Sequence, residues 1–234
     1  MMAQERYAHP ELLVDAAWIE AHGDDANVVL VDCDVEAGYN RGHIPGAVLV
    51  PDNFEKNPDT KRVHIMDPSQ FQAMCQGLGI GDDTLVITYD NGQGLTAARL
   101  WWALNYYGHS NVKVLDGGWR RWLLGGKQVS FDRPTAASGV TFTPKMDDSV
   151  MVKADELKAA CSMADAVIWD VRSDGEWDGS AGRGNQRVGH IPGAVHLEWF
   201  NLMDRETHRF KPAGEMRGIL SEKGITPDKK IFSY

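Results

Sequence analysis

The chain has 234 residues, a length that fits one large domain or two modest ones. Apolar residues make up 43% of the sequence and charged residues 24%, as in ordinary globular proteins, which excludes the disordered and fibrous classes. The formal net charge of −9 argues against nucleic acid and against an anionic membrane surface as partners, because clustered Lys and Arg bind both. A small anionic ligand stays compatible with this charge, since it needs only a few local donors.

The number of cysteines and the length of the apolar segments exclude further classes of protein. Cys33, Cys75 and Cys161 are too few and too scattered for a disulfide framework, and no CxxC pair is available for zinc. Residues 1–13 lack the apolar stretch of a signal peptide, and no segment approaches the roughly 18 consecutive apolar residues of a membrane span. We therefore expect a soluble, cytoplasmic protein.

The predicted elements alternate between helix and strand along residues 10–124. Pro10 favours the first turn of a helix over residues 11–22. Asp67 and Gln70 form a capping-box pattern that opens a helix ending near Gly77. The other predictions for this part of the chain are strands at 27–32, 84–89 and 112–115 and helices at 95–107 and 119–124. Strands that alternate with helices predict a parallel sheet covered on both faces.

The hexapeptide HIPGAV occurs twice, at residues 43–48 and 190–195. Each copy follows a predicted strand that ends in aspartate, and each is followed further on by a second predicted strand. An identity of this length with agreement on both sides indicates an internal duplication. The stretch at 131–149, rich in Pro, Ser, Thr and Gly, predicts a linker between the copies. The sequence thus predicts two α/β domains, at residues 5–130 and 150–234.

The second copy is shorter than the first. After Tyr89 the first copy continues with a loop, a long helix, a strand and a final helix, whereas nothing follows Tyr234 in the sequence. We therefore expect the second domain to be incomplete, with its carboxyl-terminal part missing.

The loop after the first copy's second strand has the features of an anion site. Gly92 and Gly94 let several backbone N–H groups converge, and the start of the next helix adds positive potential. A thiol in the first position of such a loop would have a lowered pKa. That position is Asp90, which is only an acceptor when ionised. In this copy the pattern favours a sharp strand-to-helix turn without chemistry.

The HIPGA segments read as tight turns, because Pro fixes φ and Gly permits a positive φ. His43 and His190 are expected to be structural, tying the turns down by hydrogen bonds of their rings. No other histidine lies at ligand spacing to either of them, so no metal site is predicted.

Several motifs together point to a family. They are YNRGHIPGA at 39–47, RVGHIPGA at 187–194, the strand end at Asp32, the Tyr89-Asp90 pair and LDGGW at 115–119. This combination resembles the rhodanese domain, and nearly the whole chain resembles a tandem-domain sulfurtransferase of the thiosulfate and 3-mercaptopyruvate type. The resemblance implies an α/β fold of two rhodanese-like domains, each a parallel sheet flanked by helices, with the second incomplete.

The resemblance also implies a reaction. In that family a catalytic cysteine follows the strand that matches residues 231–234, so the nucleophile is expected at position 235, directly after Tyr234, and Asp90 marks the inactive copy. The implied activity moves a sulfur from a small anionic donor, thiosulfate or 3-mercaptopyruvate, to a thiol or cyanide through a cysteine persulfide. It needs no metal and no organic cofactor. The chain 1–234 by itself is expected to be inactive.

The cysteines that are present make poor nucleophiles. Cys33 lies between two aspartates, whose charges would raise the pKa of its thiol. Cys75 and Cys161 fall in predicted helical segments, where a cysteine is usually buried and inert.

Three arginines are the predicted substrate-binding residues. Arg172, Arg183 and Arg187 lie in the stretch that borders the active pocket in the family, and a guanidinium fork suits a carboxylate or a sulfonate. The alternative is that they are solvated and pair with neighbouring acidic residues. Where some relatives that bind mercaptopyruvate have arginine, this chain has Glu176.

Two other functions remain open. The first is a catalytically inactive binding or regulatory module that keeps only the fold. The second is a related phosphatase with a Cys-x5-Arg loop, against which the duplication and the inactive first copy both count. The identity of residue 235 separates the enzyme from the inactive module, because only cysteine supplies the nucleophile.

Overall fold

The computed structural model describes residues 6–57, 59 and 65–234, which form two compact units. The amino-terminal unit contains His9–Val150 and Arg205–Arg209. The carboxyl-terminal unit contains Met151–Asp204 and Phe210–Tyr234, together with residues 6–8.

The amino-terminal unit is built on a five-stranded sheet in the order β1-β5-β4-β2-β3, with every pairing parallel. Its strands are β1 (Leu13–Val14), β2 (Val28–Asp32), β3 (Val48–Leu49), β4 (Leu85–Tyr89) and β5 (Val112–Leu115). Its helices are α1 (Ala16–His22), α2 (Glu36–Tyr39), α3 (Pro68–Gly77), α4 (Leu95–Tyr106) and α5 (Gly118–Leu124), with 3-10 turns at Pro10–Leu12 and Asp148–Val150. The α/β class and the parallel sheet predicted from the sequence are confirmed.

The predicted helix at 11–22 is wrong in its first half. Leu13 and Val14 instead form the edge strand β1 and pair with β5. The helix begins only at Ala16, because Asp15 caps it by accepting a hydrogen bond from the Trp18 N–H at 2.9 Å. The strong N-cap at position 15 therefore overrides the helix start suggested by Pro10.

The carboxyl-terminal unit repeats the centre of the first sheet. Its three parallel strands lie in the order β7-β6-β8, with β6 (Ala166–Asp170), β7 (Val195–His196) and β8 (Lys230–Ser233). Its helices are α6 (Ala154–Ala160), α7 (Asp174–Asp178) and α8 (Ala213–Glu222), with a 3-10 turn at Trp199–Leu202.

The register of the two sheets is the same. Asp170 pairs with His196 in one unit as Asp32 pairs with Leu49 in the other. The duplication read from the sequence is therefore repeated in the strand pairing, and β6, β7 and β8 correspond to β2, β3 and β4.

Buried aliphatic and aromatic side chains hold each unit together. In the amino-terminal unit, Leu30 and Ile87 of the central strands pack with Ile44 of the first HIPGA turn. In the carboxyl-terminal unit the corresponding cluster includes Leu197 and Ile225. Among the described residues, no helix combines the length and the apolar character that crossing a membrane requires.

The segment predicted as a linker lies against the amino-terminal unit. Phe142 is buried there, and its carbonyl oxygen accepts a hydrogen bond from the Gln72 side chain of α3 at 2.8 Å. The Asp82 carboxylate accepts hydrogen bonds from the backbone N–H and the hydroxyl of Thr143 at 2.6 and 2.8 Å. The segment has little regular structure, but its side chains and backbone are engaged.

Candidate active site

Two of the predicted site residues, Asp90 and Arg172, lie just past the carboxyl ends of parallel strands, where open α/β sheets bind their ligands, whereas Arg183 and Arg187 lie in the connection between α7 and β7. In the amino-terminal unit Asp32 ends β2 and Asp90 follows β4. In the carboxyl-terminal unit Asp170 ends β6 and Tyr234 follows β8.

The loop after β4 does gather hydrogen-bond donors, but they converge on Asp90 itself. One carboxylate oxygen accepts from the Gly94 N–H at 2.8 Å, and the other accepts from the Thr96 hydroxyl at 2.9 Å and the Ala97 N–H at 2.8 Å. The residue is only 1% exposed. The loop thus forms the anion cradle expected from its glycines, and the chain's own carboxylate fills it.

A second loop closes over the same residue. The Asp90 carbonyl oxygen accepts a hydrogen bond from the Trp119 N–H at 2.9 Å. Gly118 lies so close that a Cβ on it would come within 2.3 Å of the Asp90 carbonyl oxygen, and its φ is +48°. The second glycine of LDGGW is therefore required by this contact between two backbones.

The environment of the two neighbouring carboxylates, Asp32 and Asp34, disfavours their ionised forms. Burial raises the pKa of Asp32 to about 6, although hydrogen bonds from the Asp34 N–H and the Tyr89 hydroxyl oppose the shift. Burial also raises the pKa of Asp34, whose carboxylate accepts from the Asn91 N–H at 3.2 Å. Among the described residues, Asp32 has no ion-pair partner of the kind that Asp170 has in Arg172.

The cysteines fit the expectation of poor nucleophiles, with one correction. Cys33 is buried, and burial together with Asp90, Asp32 and Asp34 raises the pKa of its thiol well above the ordinary value. Burial likewise raises the pKa of Cys75. The expectation that Cys161 is buried is wrong: it follows the last residue of α6 and is exposed.

In the carboxyl-terminal unit Asp170, the aspartate at the end of β6, forms an ion pair with Arg172. Arg172 donates from Nε and Nη2 to the two carboxylate oxygens of Asp170 at 2.9 and 2.6 Å. Burial of Asp170 works to raise its pKa, but the hydrogen bonds from Arg172 and the Tyr234 hydroxyl, together with the charge of Arg172, outweigh burial and lower it. Asp170 and Asp32 occupy equivalent positions, and Arg172 stands where the first copy has Asp34, which contributes to the opposite directions of their pKa shifts.

The tyrosine that follows β8 joins this pair to the second HIPGA turn. The Tyr234 hydroxyl hydrogen-bonds to the Asp170 carboxylate and accepts from the Ile191 N–H at 3.0 Å. In the first copy the Tyr89 hydroxyl makes the same two contacts, with Asp32 and with the Ile44 N–H at 3.1 Å. Sequence reasoning did not assign these hydroxyls, although one tyrosine ends β4 and the other directly follows β8.

The HIPGA histidines are structural, as predicted. In His43, Nδ1 lies 3.0 Å from the Tyr39 carbonyl oxygen and the ring stacks on the Tyr39 ring at 3.7 Å. In His190, Nδ1 lies 2.9 Å from the Trp177 carbonyl oxygen and the ring stacks on Trp177 at 3.5 Å. The expectation that these rings tie the turns down is confirmed.

A further histidine belongs to the carboxyl-terminal site and was missed by sequence reasoning. The Nε2 of His196 donates to the Arg172 carbonyl oxygen at 2.9 Å, and its ring stacks on Trp177 at 4.9 Å. The signal was available, since the first copy has Leu49 at the equivalent strand position.

The three predicted substrate-binding arginines differ in their surroundings. The Arg172 guanidinium is engaged by Asp170 and by the Gly189 carbonyl oxygen at 2.9 Å. Arg183 is exposed and lies 3.3 Å from the Glu176 carboxylate, which also caps α7. Arg187 is exposed, and among the described residues its guanidinium has no hydrogen-bond or ion-pair partner. Their predicted role toward a substrate stays a prediction.

A parallel α/β fold that occurs twice, with a strand-to-helix anion cradle in the first copy, defines the class. Residues 15–124 and 153–234 match the rhodanese-like domain. The chain belongs to the rhodanese-like family.

Named relatives span most of the chain. It is 31% identical over 232 residues to the "Putative thiosulfate sulfurtransferase" of Saccharopolyspora erythraea, covering 96% of this chain and 81% of that protein. It is 30% identical over 239 residues to the "Sulfur carrier protein TtuD" of Thermus thermophilus, covering 97% and 83%. Among solved structures it is similar to SseA from Escherichia coli, described as a 3-mercaptopyruvate sulfotransferase, with a TM-score of 0.84, 27% identity and coverage of 95% and 87%.

Proposed function

We propose that the full-length protein is a sulfurtransferase that moves a sulfur from thiosulfate or 3-mercaptopyruvate to a thiol or cyanide. The nucleophile of this proposal is a cysteine at position 235, directly after Tyr234. The names of the relatives and the likeness to SseA support the class of reaction.

One observation supports position 235 as the place of the nucleophile. Because β8 corresponds to β4 in register, the residue after Tyr234 is the counterpart of Asp90. The Asp90 carboxylate is held by three donors within 2.9 Å. A thiolate or a persulfide at the equivalent position would be stabilised by a loop of the same kind, which lowers the pKa of the thiol and makes it a nucleophile at neutral pH.

The reaction proceeds in two half-reactions. The thiolate attacks the outer sulfur of thiosulfate, and the S–S bond breaks with its electron pair leaving on sulfite. With 3-mercaptopyruvate, the C–S bond breaks instead and the pyruvate enolate takes a proton from water. The acceptor thiolate or cyanide then attacks the terminal sulfur of the persulfide, and the cysteine thiolate leaves.

A sulfur adduct tests the proposal. Incubating the full-length protein with either donor should add one sulfur, about 32 mass units, and cyanide should remove it, as expected for a covalent intermediate. Serine in place of the cysteine at position 235 is the control and should carry no adduct. Absence of an adduct on the unaltered protein would overturn the proposed enzymatic activity and leave the inactive binding module as the function. Saturable transfer by the chain 1–234 would mean that the nucleophile lies elsewhere.

Arg187 is proposed to bind the charged end of the donor, because its guanidinium is exposed and lacks a partner among the described residues. The variant Arg187→Ala should raise the donor KM by about tenfold and lower kcat less, since a bidentate contact binds the ground state and the transition state alike. Arg183→Ala is the matched comparison, and we expect a smaller rise in KM because Arg183 is already paired with Glu176. An unchanged KM for both donors in Arg187→Ala would remove this residue from the site.

A further inference from the structure

The second HIPGA turn is tied to the strand ends on both sides of His190. Before it, the Gly189 carbonyl oxygen accepts a hydrogen bond from Nη2 of Arg172 at 2.9 Å. After it, the Ile191 N–H donates to the Tyr234 hydroxyl at 3.0 Å. Both anchors lead to the same buried carboxylate, that of Asp170.

The first HIPGA turn has the same tyrosine contact, from the Ile44 N–H to the Tyr89 hydroxyl at 3.1 Å, but it is held differently on the other side of its histidine. The backbone groups of His43 and Ser130 exchange two hydrogen bonds, of 3.0 and 2.9 Å. Position 34, the counterpart of Arg172, is an aspartate and supplies no donor side chain. The turn is nevertheless well fixed, because only four positions separate Tyr39 from His43.

The second turn ends a much longer connection. Thirteen positions separate Trp177 from His190, nine more than between their counterparts. This connection includes Gly179, Gly184 and Gly189, all with positive φ, and Arg183 with a φ of +43°. A longer chain between fixed ends loses more conformational entropy on ordering, so its far end needs an anchor of its own.

The Arg172 guanidinium has the shape for this anchor. Its Nε and Nη2 groups reach the two oxygens of Asp170, and Nη2 also reaches the Gly189 carbonyl oxygen. His196 holds the Arg172 backbone from the neighbouring strand through its 2.9 Å hydrogen bond. A planar fork fixed by a buried carboxylate presents its remaining donors in one direction, which a lysine ammonium does not.

We propose that Arg172 is a positioning residue of the second-domain site, which fixes the place from which Arg187 projects by holding Gly189 against Asp170. Arg187 lies two residues before Gly189, so the anchor and the donor-binding residue belong to one short segment. The role of Arg187 in this inference rests on the proposed function, whereas the anchor itself does not. Arg172 then acts on the donor through Arg187 and makes no contact with it.

Kinetics of the full-length protein separate the two roles. Arg172→Met should raise the donor KM by about tenfold, close to the effect of Arg187→Ala, with a smaller fall in kcat. In the Arg187→Ala background, Arg172→Met should add less than about twofold, because the residue it positions is gone. Additive effects of the two changes would mean that Arg172 contacts the donor directly and would overturn the positioning role.

A double variant distinguishes the anchor from simple charge neutralisation. Arg172→Met alone leaves the Asp170 carboxylate buried without its partner, which destabilises the end of β6. The double variant Asp170→Asn with Arg172→Met removes that unpaired carboxylate and this destabilisation with it. The bond to Gly189 is still missing, and we expect the KM to stay raised. Recovery of the original KM in the double variant would show that Arg172 serves only to neutralise Asp170.

Hydrogen exchange on the chain 1–234 tests the anchor without activity. In Arg172→Met and in the double variant, backbone amides of residues 182–191 should exchange about tenfold faster, while those of β6 in the double variant stay within about twofold. Lys158→Met removes the same charge from an exposed side chain of α6 and should change neither region. Unchanged exchange at 182–191 would overturn the anchor, whereas a missing sulfur adduct on the unaltered full-length protein would overturn the proposed function instead.

Discussion

The change Asp32→Asn should stabilise the amino-terminal unit above pH 6, whereas Asp170→Asn should destabilise the carboxyl-terminal unit. Burial raises the pKa of Asp32 from 3.8 to about 6, so the folded state holds this proton more tightly than the unfolded state does. Stability therefore falls as the pH rises from about 4 to about 6, and the cost is fully present above pH 6. Removing the charge should therefore raise the free energy of unfolding by about 2–3 kcal/mol at pH 7.5.

For Asp170 the expected change in the free energy of unfolding has the opposite sign. The pKa of Asp170 is lowered below 3.8, so its contribution to stability is present above the unfolded pKa and is lost as the pH falls through the folded pKa. Asp170→Asn leaves the Arg172 guanidinium without its carboxylate. Since the Arg172 side chain is 27% exposed and regains some water, we expect a loss of about 1–3 kcal/mol at pH 7.5.

The two stabilities are best measured separately, because two units in one chain need not unfold together. Peptide-resolved hydrogen exchange across a urea series at pH 5 and pH 7.5 gives each unit its own value. Asp24→Asn and Asp155→Asn are matched controls, since both side chains are exposed. Equal effects of the two buried changes would contradict the assignment of the difference to Arg172.

The change Asp90→Ala should destabilise the amino-terminal unit by about 3 kcal/mol. It removes a buried carboxylate that accepts from the Gly94 and Ala97 N–H groups and from the Thr96 hydroxyl, at about 1 kcal/mol each. Turnover of the proposed full-length enzyme should stay within a few-fold at temperatures where it remains folded, because the proposed nucleophile belongs to the second copy.

Thr96→Val provides the graded comparison for this loop. It removes one of the three donors and keeps the carboxylate, so we expect about a third of the loss. Urea denaturation measures both variants. A hundredfold loss of turnover in Asp90→Ala, about 2.7 kcal/mol of barrier, would make Asp90 a participant in the reaction.

Most of the regular elements follow from the sequence, since apolar runs, capping residues and glycines act locally. The strand β1 does not, because two residues are too few for any periodicity and only pairing with β5 defines them. Exposure at a helix end is equally invisible to a local pattern, and Cys161 is the example.

The candidate site was predicted in its composition and less well in its geometry. Gly92 and Gly94 indicated an anion cradle, but nothing local indicated that the Asp90 side chain would turn back into it. Arg172 was recognised as a cation near the site. Its pairing with Asp170 depends on the buried strand end and on the turn at Gly189, which only the tertiary fold brings together.

The packing of residues 131–149 also decides where the chain can be divided. Phe142 contacts Phe71 at a ring distance of 5.8 Å and His109 at 5.7 Å, so it fills part of the surface of α3 and its neighbours. A fragment that stops at residue 130 would leave those aromatic rings in contact with water, and it would lack the carbonyl groups that Gln72 and Gln76 bond. A fragment that runs to Val150 retains this cover, which makes that residue the better cutting point for isolating the first half.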